Sequence, residues 1–280
     1  ECIFPDIAGS SKGKILPVQR FIKSMEDQSL KLADSVFGQT VSGKWVYESE
    51  VIDYVEEDLI MKPDLSTIRR IPWNKEPTAQ IICDLHYSDG SPSALAPRQV
   101  LKNIIDLLDE EQLKAVVAPE LEFYLCEQNL DPDLPLKTPI GKSGRREKGS
   151  RVFGIDAVNE FDDLTDDIYD YCETLKIGVD TLIHESGPSQ IEINLNHGDP
   201  LQLADQAFMF KRAVRQVALK HGIHATFMSK PYQGHPGSSM HIHQNIISKK
   251  TNKNLFSDEN GNNTEEFFHF IGGLQTYLPD

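Results

Sequence analysis

The nine residues His184-Glu185-Ser186-Gly187-Pro188-Ser189-Gln190-Ile191-Glu192 place two carboxylates, Glu185 and Glu192, on either side of a Gly-Pro-Ser turn. They run into an alternating segment that continues through Ile193, Asn194, Leu195 and Asn196. Alternation in a strand sends Gln190, Glu192, Asn194 and Asn196 to one face, and Ile191, Ile193 and Leu195 to the other. The apolar face suits a core. A carboxylate among three hydrogen-bonding side chains instead suits the wall of a wet, occupied site.

Two other segments repeat the pattern. Pro119-Glu120-Leu121-Glu122-Phe123 puts Glu120 and Glu122 on one face of a strand, and Met240-His241-Ile242-His243 does the same with two imidazoles. Taken singly, Glu-x-Glu is ordinarily a solvated edge and His-x-His a surface or structural pair. If the three strands share a sheet, their polar sets converge on one concave face, with Glu185 arriving from the adjoining turn. Two carboxylates about 4 Å apart repel by on the order of 4 kcal/mol at an effective dielectric of about 20. Four of them force protonation or recruit a cation. Mostly oxygen ligands with one imidazole favour Mg²⁺ or Mn²⁺ over Zn²⁺. Four acids exceed what one ion needs, so a cluster of two or three metals, of the kind used in phosphoryl transfer, is expected.

The bulk properties narrow the classes. At 280 residues the chain can hold about two domains. Its 28 Lys plus Arg against 43 Asp plus Glu give a net charge of −15, which argues against a broad nucleic-acid footprint. Cys2, Cys83, Cys126 and Cys172 form no C-x-x-C pair and read as free thiols in a reducing compartment. No basic start leads into an apolar run, and no window approaches the roughly 18 apolar residues of a membrane span, so a soluble cytoplasmic protein is expected. Gly141-Lys142-Ser143 is not the end of a phosphate loop, because Leu136 stands where that motif needs glycine.

Working outward, the fold class is α+β. Residues 1–94 read as a small domain. It has an opening strand, a helix from the capping-box-like Ser24–Asp27 to Phe37 with Gly38 as its C′ residue, a mixed loop over Gly38–Asp58, and a strand over Thr78–Asp84. Pro97 then opens a helix whose Val100, Leu101, Ile104, Ile105, Leu107 and Leu108 form a core-facing stripe. Val116–Leu125 reads as a strand, and residues 127–150 as a long mobile loop. A helix through Phe161, Ile168 and Leu175 is stopped by Gly178. Asp199-Pro200 caps and starts another that runs to Gly222. Between these helices lie strands over 190–196, 224–230 and 239–247, with a last helix over Thr264–Tyr277. The first strand is already under way at Glu1 and Pro279-Asp280 carries no stop signal, so the sequence is expected to extend both ways.

Six segments in order then resemble the glutamine synthetase family: Pro63–Thr67, Pro119–Phe123, Glu185–Glu192, Thr226–Pro231, Gly237–His243 and Asn254–Phe256. The resemblance implies a β-grasp domain over 1–94 and a catalytic domain over 95–280, whose antiparallel strands form a funnel open at both ends. It implies that Glu122, Glu185 and Glu192 hold a metal near glutamate, and that Glu120 and His241 hold one near the ATP phosphates. His243 and Asp180 resemble nucleotide-site residues, and Gly237 lies in a substrate-binding loop. The implied reaction moves the ATP γ-phosphoryl group to the glutamate side chain, after which an amine attacks the acyl phosphate. Further arginines and a closing loop of the family are expected beyond Asp280.

The chain also departs from the family. Ammonia-using members carry Asp-Gly-Ser-Ser in the amino-terminal domain, whereas the corresponding Phe37–Lys44 has no such aspartate and none occurs between Phe37 and Ile52. Pro236-Gly237-Ser238-Ser239 replaces Asn-Gly-Ser-Gly, and Ser189 replaces the commoner glycine. The first two changes resemble the branch that joins glutamate to larger amines, including the γ-glutamylputrescine synthetases. The expected partners are glutamate, ATP and a small amine, with putrescine or a similar polyamine leading and ammonia second. A catalytically inactive relative with a structural role is the alternative of a different class; without the resemblance, a metallohydrolase is the rival. The family also implies a homo-oligomer, a double-ring dodecamer.

Overall fold

Short β-branched and aliphatic runs near both ends of the first 94 residues pair into one sheet. In the computed structural model, which describes residues 1–46, 57–131 and 133–278, these are β1 (Cys2–Pro5), β2 (Ser11–Lys14), β3 (Lys31–Ala33), β4 (Asp58–Pro63), β5 (Arg69–Arg70) and β6 (Ala79–His86), with α1 (Val18–Asp27) after β2. The strand order is β2-β1-β6-β4-β3, with β5 also on β6. β1 runs parallel to β6, setting Cys2 against Ile81 and Ile3 against Ile82. A hairpin, a helix and a parallel central pair make the β-grasp arrangement. Cys2, Phe4, Leu59, Met61, Ile81 and Leu85 fill its core. Ile3 and Ile82 belong instead to the core of the second sheet, so the two units pack directly.

The second unit comprises α2 (Pro97–Glu110), β7 (Leu113–Glu127), α3 (Ile155–Val158), α4 (Asp162–Leu175), β8 (Val179–His184), β9 (Gln190–Leu195), α5 (Pro200–Lys220), β10 (Ile223–Thr226), β11 (Met240–Ser248) and α6 (Glu265–Tyr277). Its sheet is antiparallel, in the order β10-β7-β9-β8 with β11 also on β7. β7 is long enough to pair with β11 over Leu113–Leu121 and with β10 over Tyr124–Glu127. Leu121, Phe123, Leu125, Ile191, Ile193 and Leu195 point to one side, where Ile168 of α4 and Phe210, Val214 and Val217 of α5 cover them. The Asp199 carboxylate caps α5 by accepting the Leu201 and Gln202 N–H groups, as its sequence predicts. Thr264 caps α6 in the same manner.

One buried guanidinium fastens the two units. Arg98 donates through Nε and Nη2 to both oxygens of Asp205 at 3.0 Å, and through Nη1 and Nη2 to Asp84 and Asp64 at 2.6 Å each. Lys102 shares Asp84.

Several sequence expectations need correction. The helix expected over 24–37 ends at Asp27, because Gln28 adopts a left-handed conformation (φ 52°). Residues 31–33 then form β3 and Asp34–Gly38 a 3₁₀ turn. Ser24 does not cap; its hydroxyl donates back to the Phe21 carbonyl within α1. The apolar stripe of α2 faces the core only in part. Leu101, Ile105 and Leu108 are half-buried, whereas Val100, Ile104 and Leu107 are exposed on the side of α2 turned away from β7 and α5. Lys176, not Gly178, takes the left-handed position that ends α4. Gly178 serves a close approach instead, for a Cβ there would sit 2.8 Å from Asn196 Nδ2. The loop expected over Gly38–Asp58 falls partly outside the described residues, as do Pro132, Pro279 and Asp280. The 127–150 segment is irregular but anchored, by Arg146 on Glu127, by Lys142 on Asp162, and by Glu147 as described below.

Candidate metal centre

Strand pairing decides which polar groups meet. β9 lies against β7 so that Glu192 stands opposite Glu122 and Asn194 opposite Glu120, while β11 sets His241 opposite Glu120. Directly opposed residues share a face, and like charges so placed are destabilising. Glu120, Glu192 and His241 each offer a ligand atom, and these atoms lie within 4.8 Å of one another. Glu192 is 7% exposed, and burial pushes its carboxyl up to about 6, with the charges of Glu120, Glu185 and Glu122 adding to the effect. A buried acid crowded by three others, with an imidazole beside it, fits a hard divalent cation better than it fits a metal-free wall.

Hydrogen bonds set the orientation of each acid. Glu120 lies between two rings, its Oε2 3.2 Å from His241 Nδ1 and its Oε1 2.9 Å from His243 Nε2, and it also accepts from Asn194 Nδ2 at 3.3 Å. Glu122 Oε2 accepts from Gln190 Nε2 at 2.9 Å and from the Ser239 N–H at 3.1 Å. Glu185 Oε2 accepts the Ser186 N–H at 2.8 Å and its hydroxyl at 3.1 Å. The two imidazoles are at the rim, 59% and 67% exposed. Asp180 is exposed and sits at the irregularity in β8 between Val179 and Thr181, apart from this cluster. Gly237 must be glycine, because a Cβ there would lie 2.6 Å from the Ser229 carbonyl oxygen.

Beneath the acids, Tyr124 is fully buried and donates to the Pro236 carbonyl at 2.7 Å. Burial, then Glu122 and Glu185, push its hydroxyl up to about 12. Gly187 passes so close to this ring that a Cβ would meet the Tyr124 hydroxyl. Ser189 has φ 58°, so the serine standing for the commoner glycine occupies a left-handed position, with its hydroxyl buried and without a partner.

Sequence reasoning missed Glu147. Its Oε2 accepts the Ser189 N–H at 2.6 Å and lies 2.9 Å from His184 Nε2, tying the irregular segment to the Glu185–Glu192 wall. Burial opposes its ionisation, but His184 and the Ser189 N–H hold the carboxyl below its usual value. The available signal was its isolation: Glu147 is the single acid in Gly141–Arg151, among five cations.

An antiparallel sheet gathers acids and an imidazole on one face, with helices behind it, and makes a candidate cation site on an α+β scaffold. The chain belongs to the glutamine synthetase family: the profile described as "Glutamine synthetase, catalytic domain" matches residues 94–280. Over its whole length it is 34% identical to gamma-glutamylputrescine synthetase PuuA of Escherichia coli (strain K12), covering 59% of that protein. It is 35% identical over 98% of its length to a glutamine synthetase of Pyrococcus abyssi, covering 56% of that protein. The chain therefore spans less than two thirds of the curated relatives it matches. A solved glutamine synthase homolog superposes with a TM-score of 0.78 at 18% identity, over 92% of this chain and 57% of that one. No described helix is long and apolar enough to cross a membrane.

Proposed function

We propose that the protein is an ATP-dependent ligase that joins the γ-carboxylate of glutamate to an amine through a γ-glutamyl phosphate. The observation that carries this reading is the meeting of Glu120, Glu192 and His241 on one face, in a chain of this family. Residues 1–94 form the amino-terminal domain and 95–280 the catalytic part. Glu122, Glu185 and Glu192 hold the cation near glutamate, and Glu120 and His241 the one near the ATP phosphates. Glu192 lies within reach of both sets, since its ligand atom groups with Glu120 and His241 while its strand position faces Glu122. Mg²⁺ or Mn²⁺ held there neutralises charge on the transferring phosphoryl group. His243 and Asp180 face the nucleotide, and the Gly237 loop holds glutamate.

The acceptor is a small amine, putrescine or a related polyamine. Two features support this: no aspartate lies between Phe37 and Ile52, and Pro236–Ser239 is altered. Likeness to the PuuA protein points the same way. Glutamine formation from ammonia is the second reading, favoured by comparable identity to the archaeal enzyme. The sites are completed in a homo-oligomer, a double-ring dodecamer, in the cytoplasm. The test is glutamate-dependent ADP release with putrescine, simple monoamines or ammonia as acceptor. Amine-dependent turnover supports the first reading; strong ammonia-dependent turnover without response to polyamines overturns it.

A further inference from the structure

Gln190 is fully buried at the start of β9, and its amide reaches three separate segments. Oε1 accepts the Gly187 N–H at 2.8 Å. Nε2 donates to Glu122 Oε2 at 2.9 Å and to the Gly237 carbonyl at 3.0 Å. This orientation is forced, because a backbone N–H can only donate, so the atom facing Gly187 is the oxygen. Both amide hydrogens therefore go to acceptors, one on an acid of the cation site and one on the loop over it. Glu122 Oε2 takes a second hydrogen bond from the Ser239 N–H of the same loop. The other carboxylate oxygen, Oε1, takes neither of these and is the one free for a cation.

The residue type is specific. A lysine or arginine here would neutralise Glu122 and compete with a metal. A glutamate would set a third charge against Glu122 and Glu192, and a serine is too short to reach across the turn. Only a neutral group with two donors and one acceptor fixes the acid without cancelling its charge. The 236–239 loop meets the sheet at three more places: the Pro236 carbonyl on Tyr124, the Ser239 N–H on the Glu122 carboxylate, and the Ser239 carbonyl on the Glu122 N–H. The Gln190 amide is the group that touches both the loop, at the Gly237 carbonyl, and the Glu122 carboxylate.

We propose that Gln190 is a positioning residue that couples cation binding at Glu122 to the order of the 236–239 loop. The proposal deepens the ligase reading and rests on it for the identity of the cation and for the loop's part in holding glutamate. Coupling of this kind is reciprocal: what the amide contributes to metal affinity, the metal returns as loop order.

The test combines Mn²⁺ titration calorimetry with amide hydrogen exchange at Gly187 and Ser239, on the wild type and on Gln190→Met, which keeps the length but lacks the donors. Wild-type exchange at Ser239 slows when Mn²⁺ is added. In Gln190→Met, both amides exchange faster without metal, Mn²⁺ binds about 10–100-fold more weakly, and added Mn²⁺ no longer protects Ser239. A Gln190→Met protein that binds Mn²⁺ as the wild type does overturns the proposal. So does a wild-type Ser239 amide indifferent to Mn²⁺, a result that needs no variant to fold. A wild type that binds no Mn²⁺ at all overturns the ligase reading first, and this inference with it.

Discussion

Replacing Arg98 with alanine removes the cation that three carboxylates share, and its cost follows from how each acid is buried. Asp205 is 9% exposed and takes the guanidinium on both oxygens. Stripping the partner from such a buried pair costs about 3–5 kcal/mol. Asp64 and Asp84 are 27% and 17% exposed, and Asp84 keeps Lys102, so together they add on the order of 0–1 kcal/mol. With an unfolding entropy of about 2.1 cal/mol/K per residue over 280 residues, the loss lowers the melting temperature by about 5–10 °C. The pH dependence has a definite sign. Burial already pushes the Asp205 carboxyl up against the pull of Arg98, and without Arg98 it rises further above its unfolded value. Its penalty is full above that raised value and disappears once the acid is protonated in both states, below about pH 3.9. The gap between wild type and Arg98→Ala in urea unfolding therefore narrows from pH 7 toward pH 4. Arg98→Lys recovers less than half of the loss, since an ammonium cannot present a fork to three acids. A loss below about 1 kcal/mol at pH 7, the value of an exposed pair, or a gap that widens on acidification, refutes the reasoning.

Three other expectations follow from the site. Ser189→Gly releases a left-handed serine with an unpaired buried hydroxyl and stabilises by about 1 kcal/mol, after glycine's own entropic cost, in chemical denaturation. Glu147→Gln loses about 1.5–3 kcal/mol at pH 7, the range for hydrogen bonds to a charged group. Because the Glu147 carboxyl is held low, the stability it contributes is present above about pH 4.3 and is lost as pH falls through its folded value, so the deficit of the variant shrinks in acid melts. The rise in melting temperature given by Mn²⁺ shrinks as pH falls through about 6, where protons compete for Glu192; a rise unchanged between pH 7.5 and 5 counts against Glu192 as a ligand.

Features set by local pattern were legible in the sequence. The polar and apolar faces of β7, β9 and β11 follow from alternation alone, and the start of α5 from Asp199-Pro200, because both depend on neighbours in the chain. Features set by tertiary contact were not. That Glu192 faces Glu122, rather than lying diagonal to it, depends on the β7–β9 register. The exposed half of the α2 stripe depends on where the helix meets the sheet. α1 stops before Gln28 and α4 before Lys176, where ordinary side chains take a left-handed turn usually advertised by glycine. Nothing local shows what Arg98 or Glu147 fastens, because their partners Asp205 and His184 lie far away in the chain.

Glu192→Gln tests whether these acids form a cation site, with two readouts of opposite sign. Removing one of several crowded carboxylates should raise the melting temperature of the metal-free protein at pH 7.5, because Glu192 is an acid pushed up to about 6. The same change should weaken Mn²⁺ binding by at least about tenfold in calorimetry. A Glu192→Gln protein that is less stable without metal, yet binds Mn²⁺ as tightly as the wild type, would contradict the account.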